Sequence, residues 1–258
     1  MYNNPPKTLF VGQKLLFLPE CHSTNDIAAD LINTASTPEG TVVITSQQTR
    51  GRGQRGNSWH AEPGKNLTLS IILKPTFLTA NQQFLLNMAV SLAIHEFLSK
   101  YLPQNLSIKW PNDIYWKSQK MGGILIENTI QGLSLTHSIV GIGLNINQKH
   151  FPEQLRAISL KLASQPFIKE DEYDLEILLS ELLIVFEKFY LLLRNGKTDS
   201  LRAYYLRNLY GYGEKRFFVS DGNRFEGTIT GVDSQGRLVI EKDNKLCYFL
   251  FKEIEFVF

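Results

Sequence analysis

The chain has 258 residues, of which 43% are hydrophobic and 20% are charged, and its formal net charge is +2. This chain length and composition suit a globular protein of one large and one small domain, or of two domains. The electrostatic field of a protein with so small a net charge gives no argument for nucleic-acid binding. The two distant cysteines, Cys21 and Cys247, argue against a disulfide framework or a zinc site. The sequence has neither a signal pattern nor an apolar run of about 18 residues, so we expect a cytoplasmic protein that does not associate with membranes.

The first half of the chain alternates between helical and strand patterns. Cap-type residues followed by apolar positions at helical spacing predict a helix over 23–33, and short β-branched segments predict strands over 41–46 and 66–73. The polar segment 47–65 between these strands is rich in glycine and arginine, and a loop of that length inside a compact domain is usually functional or mobile. An apolar stripe at helical spacing then predicts a long helix over 81–101.

The second half continues with strands and helices and then becomes purely strand-like. Four strands are predicted over 106–110, 113–116, 123–127 and 135–145, followed by helices over 174–195 and 200–210. After Gly211, short strand patterns separated by tight-turn residues cover 215–220, 224–232, 237–241 and 246–251. We therefore predict an α+β protein, with a domain of helices packed on a mixed sheet over 1–211 and a small SH3-like β-barrel over 212–258.

One loop segment, 49–56, packs three glycines and three arginines together. Glycine lets backbone amides approach an anion without a Cβ in the way, and arginine offers a permanent charge and a planar donor fork to carboxylate or phosphate. The segment therefore suits a loop that closes over an acyl phosphate. It is not a Walker loop, because no Gly-Lys-Ser/Thr ends it. A flexible basic loop, or a nonspecific contact to nucleic acid, is the alternative.

Three further segments leave two interpretations each. The turn 109–113 (Lys-Trp-Pro-Asn-Asp) can present a cation to triphosphate and a carboxylate to magnesium, or it is an ordinary Asn-Asp turn beside a buried tryptophan. Lys120, just before two glycines, either lies in a hairpin turn in water or points back into a site. The glycines of segment 141–147 mark either close approach by a ligand or a β-bulge.

Four groups of residues follow one another along the chain: Ser23-Thr24-Asn25, then Gln48 to Gly53 with Trp59, then Lys109 to Asp113 with Lys120, then Gly141 to Asn145. In this order they resemble the motifs of the biotin–protein ligase family. The resemblance covers residues 18–147, and the small C-terminal β-domain also has a counterpart in that family. It implies a catalytic domain related to class II aminoacyl-tRNA synthetases. It also implies two half-reactions: biotin and ATP give biotinyl-AMP and pyrophosphate, and a lysine of a biotin carboxyl carrier protein then takes the biotin and releases AMP.

The resemblance also implies roles for single residues. Lys120 would bridge the biotin carboxylate and the α-phosphate, and Arg52 would neutralise both groups as they meet; these two are the candidate catalytic residues. The candidate biotin-binding residues are Ser23, Thr24, Asn25, Gln48, Gly51, Arg52, Gly53, Gln54, Ser70, Lys120, Gly123, Leu125 and Gly141. The candidate nucleotide-binding residues are Trp59, Lys109, Asn112, Asp113 and Asn145. Asp113 is in addition the candidate ligand of Mg²⁺.

Two features depart from many family members. Gln54 stands where an arginine commonly helps to hold the activated intermediate, so either Arg50 or Arg55 compensates or the intermediate is released more readily. Some relatives also begin with a winged helix-turn-helix, whereas here the catalytic pattern begins within the first two dozen residues. We therefore expect a ligase that binds no operator DNA.

Two other functions remain as alternatives. A lipoate ligase or octanoyltransferase has a similar catalytic fold and also uses a lysine near an acyl site, but it is not expected to combine the glycine-arginine loop with the Lys-Trp-Pro-Asn-Asp turn. A non-enzymatic nucleic-acid-binding module would show salt-dependent affinity for RNA or DNA. The sequence leaves the oligomeric state open, and a homodimer formed through a sheet edge is compatible with it.

Overall fold

The computed structural model describes residues 6–34, 36–165 and 172–257, without the side chain of Arg55. Within these ranges, seven strands form one mixed sheet in the order β1-β2-β3-β7-β6-β5-β4. β1 and β2 are parallel, and every other neighbouring pair of this sheet is antiparallel. The strands are β1 (Leu15–Cys21), β2 (Val42–Gln48), β3 (Leu67–Leu73), β4 (Leu106–Lys109), β5 (Asp113–Trp116), β6 (Gln119–Gln131) and β7 (Ser134–Leu144).

Both faces of this sheet are covered in the part of the chain that the structure describes. All seven residues of β3 are buried, because alternate side chains of a central strand point into different hydrophobic clusters. Ile71 belongs to the large core formed with α2 and α4, whereas Ile72 packs with Ala28 of α1. The helices are α1 (Thr24–Thr34), α2 (Gln83–Ser99), α3 (Leu160–Ser164), α4 (Leu175–Arg194) and α5 (Thr198–Arg207).

Five further strands form a separate antiparallel sheet within the described residues, in the order β11-β10-β9-β8-β12. Tight turns with positive φ angles join β8 to β9 at Asp221-Gly222 and β10 to β11 at Asp243-Asn244. Buried side chains of this sheet, such as Phe218 and Ile240, belong to the same hydrophobic cluster as α2. The strands are β8 (Lys215–Ser220), β9 (Asn223–Val232), β10 (Leu238–Lys242), β11 (Lys245–Phe249) and β12 (Glu255–Phe256).

The predicted α+β class is confirmed, and the predicted helices and strands match observed ones within a few residues. The main difference is β6, which begins at Gln119 rather than at 123, so Lys120 lies in a strand and the hairpin-turn interpretation is wrong. The sequence patterns gave no bounds for β1 and did not locate α3 or β12, and the last two are too short to show a period. The domain boundary at 211/212 stays a prediction. No helix of the described segments is long and apolar enough to span a membrane.

Candidate active site

One cavity collects most of the residues singled out from the sequence. It lies over the glycine-containing half of β7, between the start of α1, the glycine-arginine loop and β6. Its walls contain the candidates Ser23, Thr24, Asn25, Gln48, Arg52, Gly53, Gln54, Trp59, Asn112, Asp113, Lys120, Gly123, Leu125 and Gly141. They also contain Ile142 and Gly143 of the fourth motif, which were not named as candidates, and residues outside the motifs, namely Asn57, Ser58, Thr68, Leu69, Ile124 and Phe251.

Four polar side chains are interlocked along one wall of the cavity. Gln48 Oε1 accepts hydrogen bonds from the Thr24 backbone N–H at 2.8 Å and from the Thr24 hydroxyl at 3.2 Å. Ser70 Oγ lies behind them, 2.7 Å from Thr24 Oγ1 and 2.6 Å from Asn25 Oδ1. Thr24, Asn25 and Ser70 are at most 3% exposed. Because each buried polar atom already has a partner, these side chains are held in single orientations before any ligand binds.

The glycines of β7 are required by close contacts. A Cβ on Gly141 would collide with Asn25 Oδ1, and a Cβ on Gly143 would lie 2.5 Å from Cε2 of Trp59. The two residues face the cavity together because side-chain directions repeat every second residue along a strand. The pairing of β6 with β7 shifts only farther along, between Thr129 and Ile130, so the β-bulge interpretation of these glycines is wrong.

Each of two cations in the cavity wall faces carboxylates. Lys120 Nζ lies 2.7 Å from Asp113 Oδ1 and 6.0 Å from the centroid of the Trp59 ring. Arg52 donates to both oxygens of Glu127, at 2.9 Å each, and to Asp26 Oδ1 at 2.6 Å. Partial desolvation lowers the pKa of Arg52, but the hydrogen bonds and charges of Glu127 and Asp26 outweigh it and raise this pKa above its usual value. The guanidinium is therefore a permanent cation at the cavity mouth.

The Lys-Trp-Pro-Asn-Asp turn presents its residues in two directions. Asn112 and Asp113 line the cavity, and Asn112 donates to the carbonyl of Ile124. Trp110 points the other way and donates through Nε1, at 2.9 Å, to the carbonyl of Gly236, in the turn that joins β9 to β10 of the C-terminal sheet. The turn therefore both lines the cavity and anchors the second sheet.

Lys109 lies with Trp110 rather than with the cavity. Its Nζ is 4.8 Å from the centroid of the Tyr115 ring and 5.0 Å from that of Phe256, which belongs to β12. Desolvation by this packing lowers the pKa of Lys109, and the nearby charge of Lys120 lowers it further while Asp113 opposes the change. The structure thus places this candidate nucleotide-binding lysine between the two sheets.

The C-terminal sheet also contributes directly to the cavity. Phe251, which follows β11, is part of the cavity wall. Its ring contacts that of Trp110, with 6.4 Å between the ring centroids. No local pattern could have indicated Phe251, because its position depends on how the second sheet docks on the first.

The remaining candidates lie next to the cavity rather than in its wall. Gly51 lines a neighbouring cavity on the other side of Trp59, together with Arg50 and His60. Asn145 is buried and donates to the carbonyl of Ile158 at 3.3 Å. Among the described residues, no partner lies within hydrogen-bonding distance of Asn145 Oδ1 or of the buried Trp59 Nε1. Buried polar atoms of this kind normally bind water or ligand.

The protein side chains that could hold a metal ion here are few. Asp113 is the carboxylate in the cavity wall. In the described ranges, no group of three or more histidine, cysteine or acidic residues is arranged to bind a metal. A magnesium ion bound through Asp113 would therefore take most of its ligands from phosphate oxygens and water, as this metal commonly does beside nucleotides.

Comparison with known proteins gives a consistent family assignment. Residues 18–145 match the biotin/lipoate A/B protein ligase family. The chain is 30% identical over 252 residues to the bifunctional ligase/repressor BirA of Bacillus subtilis, covering 96% of this chain and 76% of that protein. It is 26% identical over 224 residues to a biotin–[acetyl-CoA-carboxylase] ligase of Mycobacterium tuberculosis, covering 84% of this chain and 80% of that protein.

The fold is also shared with solved structures. A biotin protein ligase from Aquifex aeolicus, solved in complex with biotin and ATP, superposes with a TM-score of 0.76 at 24% identity. The match covers 94% of this chain and 98% of that one. A ligase from Leishmania major in complex with biotinyl-5-AMP superposes with a TM-score of 0.61 at 21% identity, covering 92% of this chain and 99% of the other. At these identities the likeness establishes the fold, including the pairing of a mixed α+β domain with a second, smaller sheet.

Proposed function

Because this chain belongs to the biotin/lipoate A/B protein ligase family, we propose that it is a biotin–protein ligase that activates biotin with ATP and transfers it to a lysine of a carrier protein. The observation that carries the proposal is that one cavity holds a rigid polar wall and a lysine–carboxylate pair together. The wall suits a small neutral polar ring, and the pair suits an acyl phosphate.

The polar wall explains how biotin would be bound and oriented. The ureido group of biotin needs both donors and acceptors in a dry slot, and Thr24, Asn25 and Gln48 offer them from fixed positions. Absence of a side chain at Gly141 and Gly123 leaves room for the ring system above the sheet. The valerate carboxylate would then extend toward Lys120 and Arg52.

In the first half-reaction, a biotin carboxylate oxygen attacks the α-phosphorus of ATP, and the bond from this phosphorus to the bridging oxygen breaks to release pyrophosphate. Two anions must approach each other, so the barrier is largely electrostatic. Lys120 would leave Asp113 to lie between carboxylate and α-phosphate, and Arg52 would stabilise the same charge from the loop. A bound Mg²⁺ would supply neutralisation of the phosphates, and Asp113, once free of Lys120, is the residue placed to hold it.

In the second half-reaction, a neutral lysine amine of the carrier attacks the acyl carbon of biotinyl-AMP, and AMP leaves with the electron pair of the anhydride bond. The attacking nitrogen loses a proton as the amide forms. We propose a biotin carboxyl carrier protein as the acceptor, in line with the acetyl-CoA-carboxylase ligase among the relatives.

The nucleotide would occupy the part of the cavity near Trp59 and Asn112. The indole of Trp59 offers a face for the adenine base, and stacking of this kind is worth about 1–3 kcal/mol. Gln54 lines the same cavity and offers a hydrogen bond without a charge, so we further propose that biotinyl-AMP escapes more readily than from enzymes with arginine there. Equal retention by the wild type and Gln54→Arg in a trapping assay would contradict this point.

Exchange of labelled pyrophosphate into ATP tests the first half-reaction. We expect exchange that depends on biotin, is not supported by lipoate, and is lost in Lys120→Ala. The matched control is Lys188→Ala, which removes an exposed lysine paired with Glu96, far from the cavity. Exchange without biotin, or full activity of Lys120→Ala, would overturn the proposed mechanism. Lipoate-dependent exchange would instead favour a lipoate ligase.

A further inference from the structure

Glu127 connects three parts of the site that are far apart in sequence. Its Oε1 and Oε2 accept hydrogen bonds at 2.9 Å from Nη1 and Nη2 of Arg52, in the glycine-arginine loop. Its Oε2 also accepts a hydrogen bond at 2.6 Å from Nδ2 of Asn25, in α1. The carboxylate itself belongs to β6, two residues beyond Leu125 in the cavity wall. One side chain therefore touches both the loop and the polar wall.

The geometry makes this contact stronger than an ordinary surface ion pair. Exposed pairs contribute little on average, but a bidentate arginine–carboxylate contact within a network is the recognised exception. The side chains of Arg52 and Glu127 are 42% and 36% exposed, so the strength of the contact comes from its bidentate geometry and not from burial. Among the acceptors of the described residues, Glu127 is the one that pairs with both terminal nitrogens of Arg52.

Glu127 is the nearer of two acceptors that determine which way Asn25 points. The Asn25 oxygen lies 2.6 Å from Ser70 Oγ, and its nitrogen donates to Glu127 at 2.6 Å and to the Leu125 carbonyl at 3.4 Å. Because an amide group presents its donor and acceptor on opposite sides, the carboxylate makes the reversed orientation of Asn25 unfavourable. The hydrogen-bonding pattern that the wall offers to a ligand thus depends on Glu127.

We propose that Glu127 is a positioning residue that couples binding of biotin to closure of the glycine-arginine loop. The same carboxylate orders Asn25 for the ligand and Arg52 at the cavity mouth. Binding of the ligand and closure of the loop therefore favour each other. The inference rests on the proposed function, because biotin is the ligand whose binding it explains. Glu127 touches none of the reacting atoms, so it acts through Arg52 and Asn25.

The variant Glu127→Gln removes this coupling with almost no change in shape. A glutamine has one acceptor oxygen, whereas Arg52 and Asn25 together present three N–H donors to the two carboxylate oxygens. At least one donor must therefore face the glutamine NH₂ group. We expect biotin to bind about tenfold more weakly without ATP, the scale of one lost hydrogen bond to a charged group. In exchange assays KM for biotin should rise while kcat changes little.

The rate of trypsin cleavage reports how often the glycine-arginine loop is open, and it needs no ligand. The loop contains three arginines, and its cleavage rate follows the fraction of time that the loop is open. In ligand-free Glu127→Gln we expect cleavage to be faster by about tenfold, the same scale as above. Asp26→Asn removes the charge from the single contact of Asp26 to Arg52 and leaves Asn25 untouched, so it should accelerate cleavage with a smaller effect on biotin affinity.

Glu96→Gln is the matched control, since it removes an equivalent charge from the remote pair with Lys188 and should change neither measurement. Unchanged or tighter biotin binding in Glu127→Gln would overturn the proposal. Weaker binding with an unchanged loop would also overturn it, because the carboxylate would then serve the wall alone. If the wild type itself binds no biotin, the proposed function fails, whereas the ligand-free loop experiment still reports whether Glu127 holds Arg52.

Discussion

Replacing Gly141 by alanine should damage the polar wall while leaving the rest of the cavity intact. The added Cβ would collide with Asn25 Oδ1 and lie 3.1 Å from its Cγ. It cannot move toward β6 either, because the Leu125 carbonyl oxygen is only 3.2 Å away. Asn25 must therefore shift, and with it the contacts to Ser70 and Glu127.

The size of the effect follows from these contacts. Forcing one extra methyl group into a packed site costs about 1–3 kcal/mol. Loss of the Asn25–Glu127 hydrogen bond, which involves a charged acceptor, adds about 1.5–3 kcal/mol if it is broken completely. If Asn25 yields and the fold persists, only a part of this cost appears in ligand binding, and about 1.4 kcal/mol corresponds to a factor of ten. We therefore expect biotin affinity to fall by about 10- to 100-fold.

Isothermal titration with biotin measures this loss, and thermal unfolding shows whether the fold is retained. The melting temperature should fall by about 2–8 °C, since 1 kcal/mol shifts it by about 2–4 °C in domains of this size. Gly231→Ala is the matched control, because no described atom lies within 4 Å of the Cβ it would add. Gly141→Ala with wild-type affinity for biotin would refute the reasoning, since it would mean that Asn25 is not held where the contacts place it.

Three other changes test separate parts of the structure. Gly143→Ala would place a Cβ 2.5 Å from Trp59, so it should weaken ATP binding more than biotin binding. Fluorescence titration measures the affinity for each ligand, and an equal loss of affinity for both would contradict this prediction. Trp110→Phe leaves a carbonyl of the C-terminal sheet without its donor and should cost about 1–3 kcal/mol in urea unfolding. Trp116→Phe should cost less, because among the described residues the Trp116 indole N–H has no hydrogen-bond partner; equal costs would contradict the anchoring role of Trp110. Desolvation lowers the pKa of buried His95 below 6.5, so the unfolded chain takes up this proton at higher pH than the native one, and stability should fall as the pH drops through 6.5. His95→Gln should remove that part of the slope, at most about 1.4 kcal/mol per pH unit; urea midpoints at pH 7.5 and 5.5 that move in parallel for both proteins would contradict it.

Sequence patterns were sufficient for the fold class and for most of the cavity wall. Helical and strand periods are properties of consecutive residues, which is why α2, α4 and the short strands after residue 211 were found close to their observed bounds. The motifs succeeded for a related reason. Groups such as Ser23-Thr24-Asn25 are contiguous, so matching the segment places the whole group at the cavity at once.

Packing between distant segments decided the rest. Residues of one motif point in different directions, because the turn between β4 and β5 lies where two sheets meet. Trp110 binds the turn between β9 and β10, whereas Asp113 lies in the cavity wall. The motif itself is the same for either arrangement, so the sequence could not assign Lys109 to the space between the sheets.

Glu127 shows the same limit most clearly. It carries no motif of its own, and as one acidic residue in a half-buried strand it resembles any solvated side chain. Its partners are 75 and 102 residues away, in a loop and a helix that meet β6 only after the sheet has formed. Side-chain contacts across such separations depend on strand register and helix docking, which involve the whole chain, and this is why the carboxylate linking the loop to the polar wall became visible only in three dimensions.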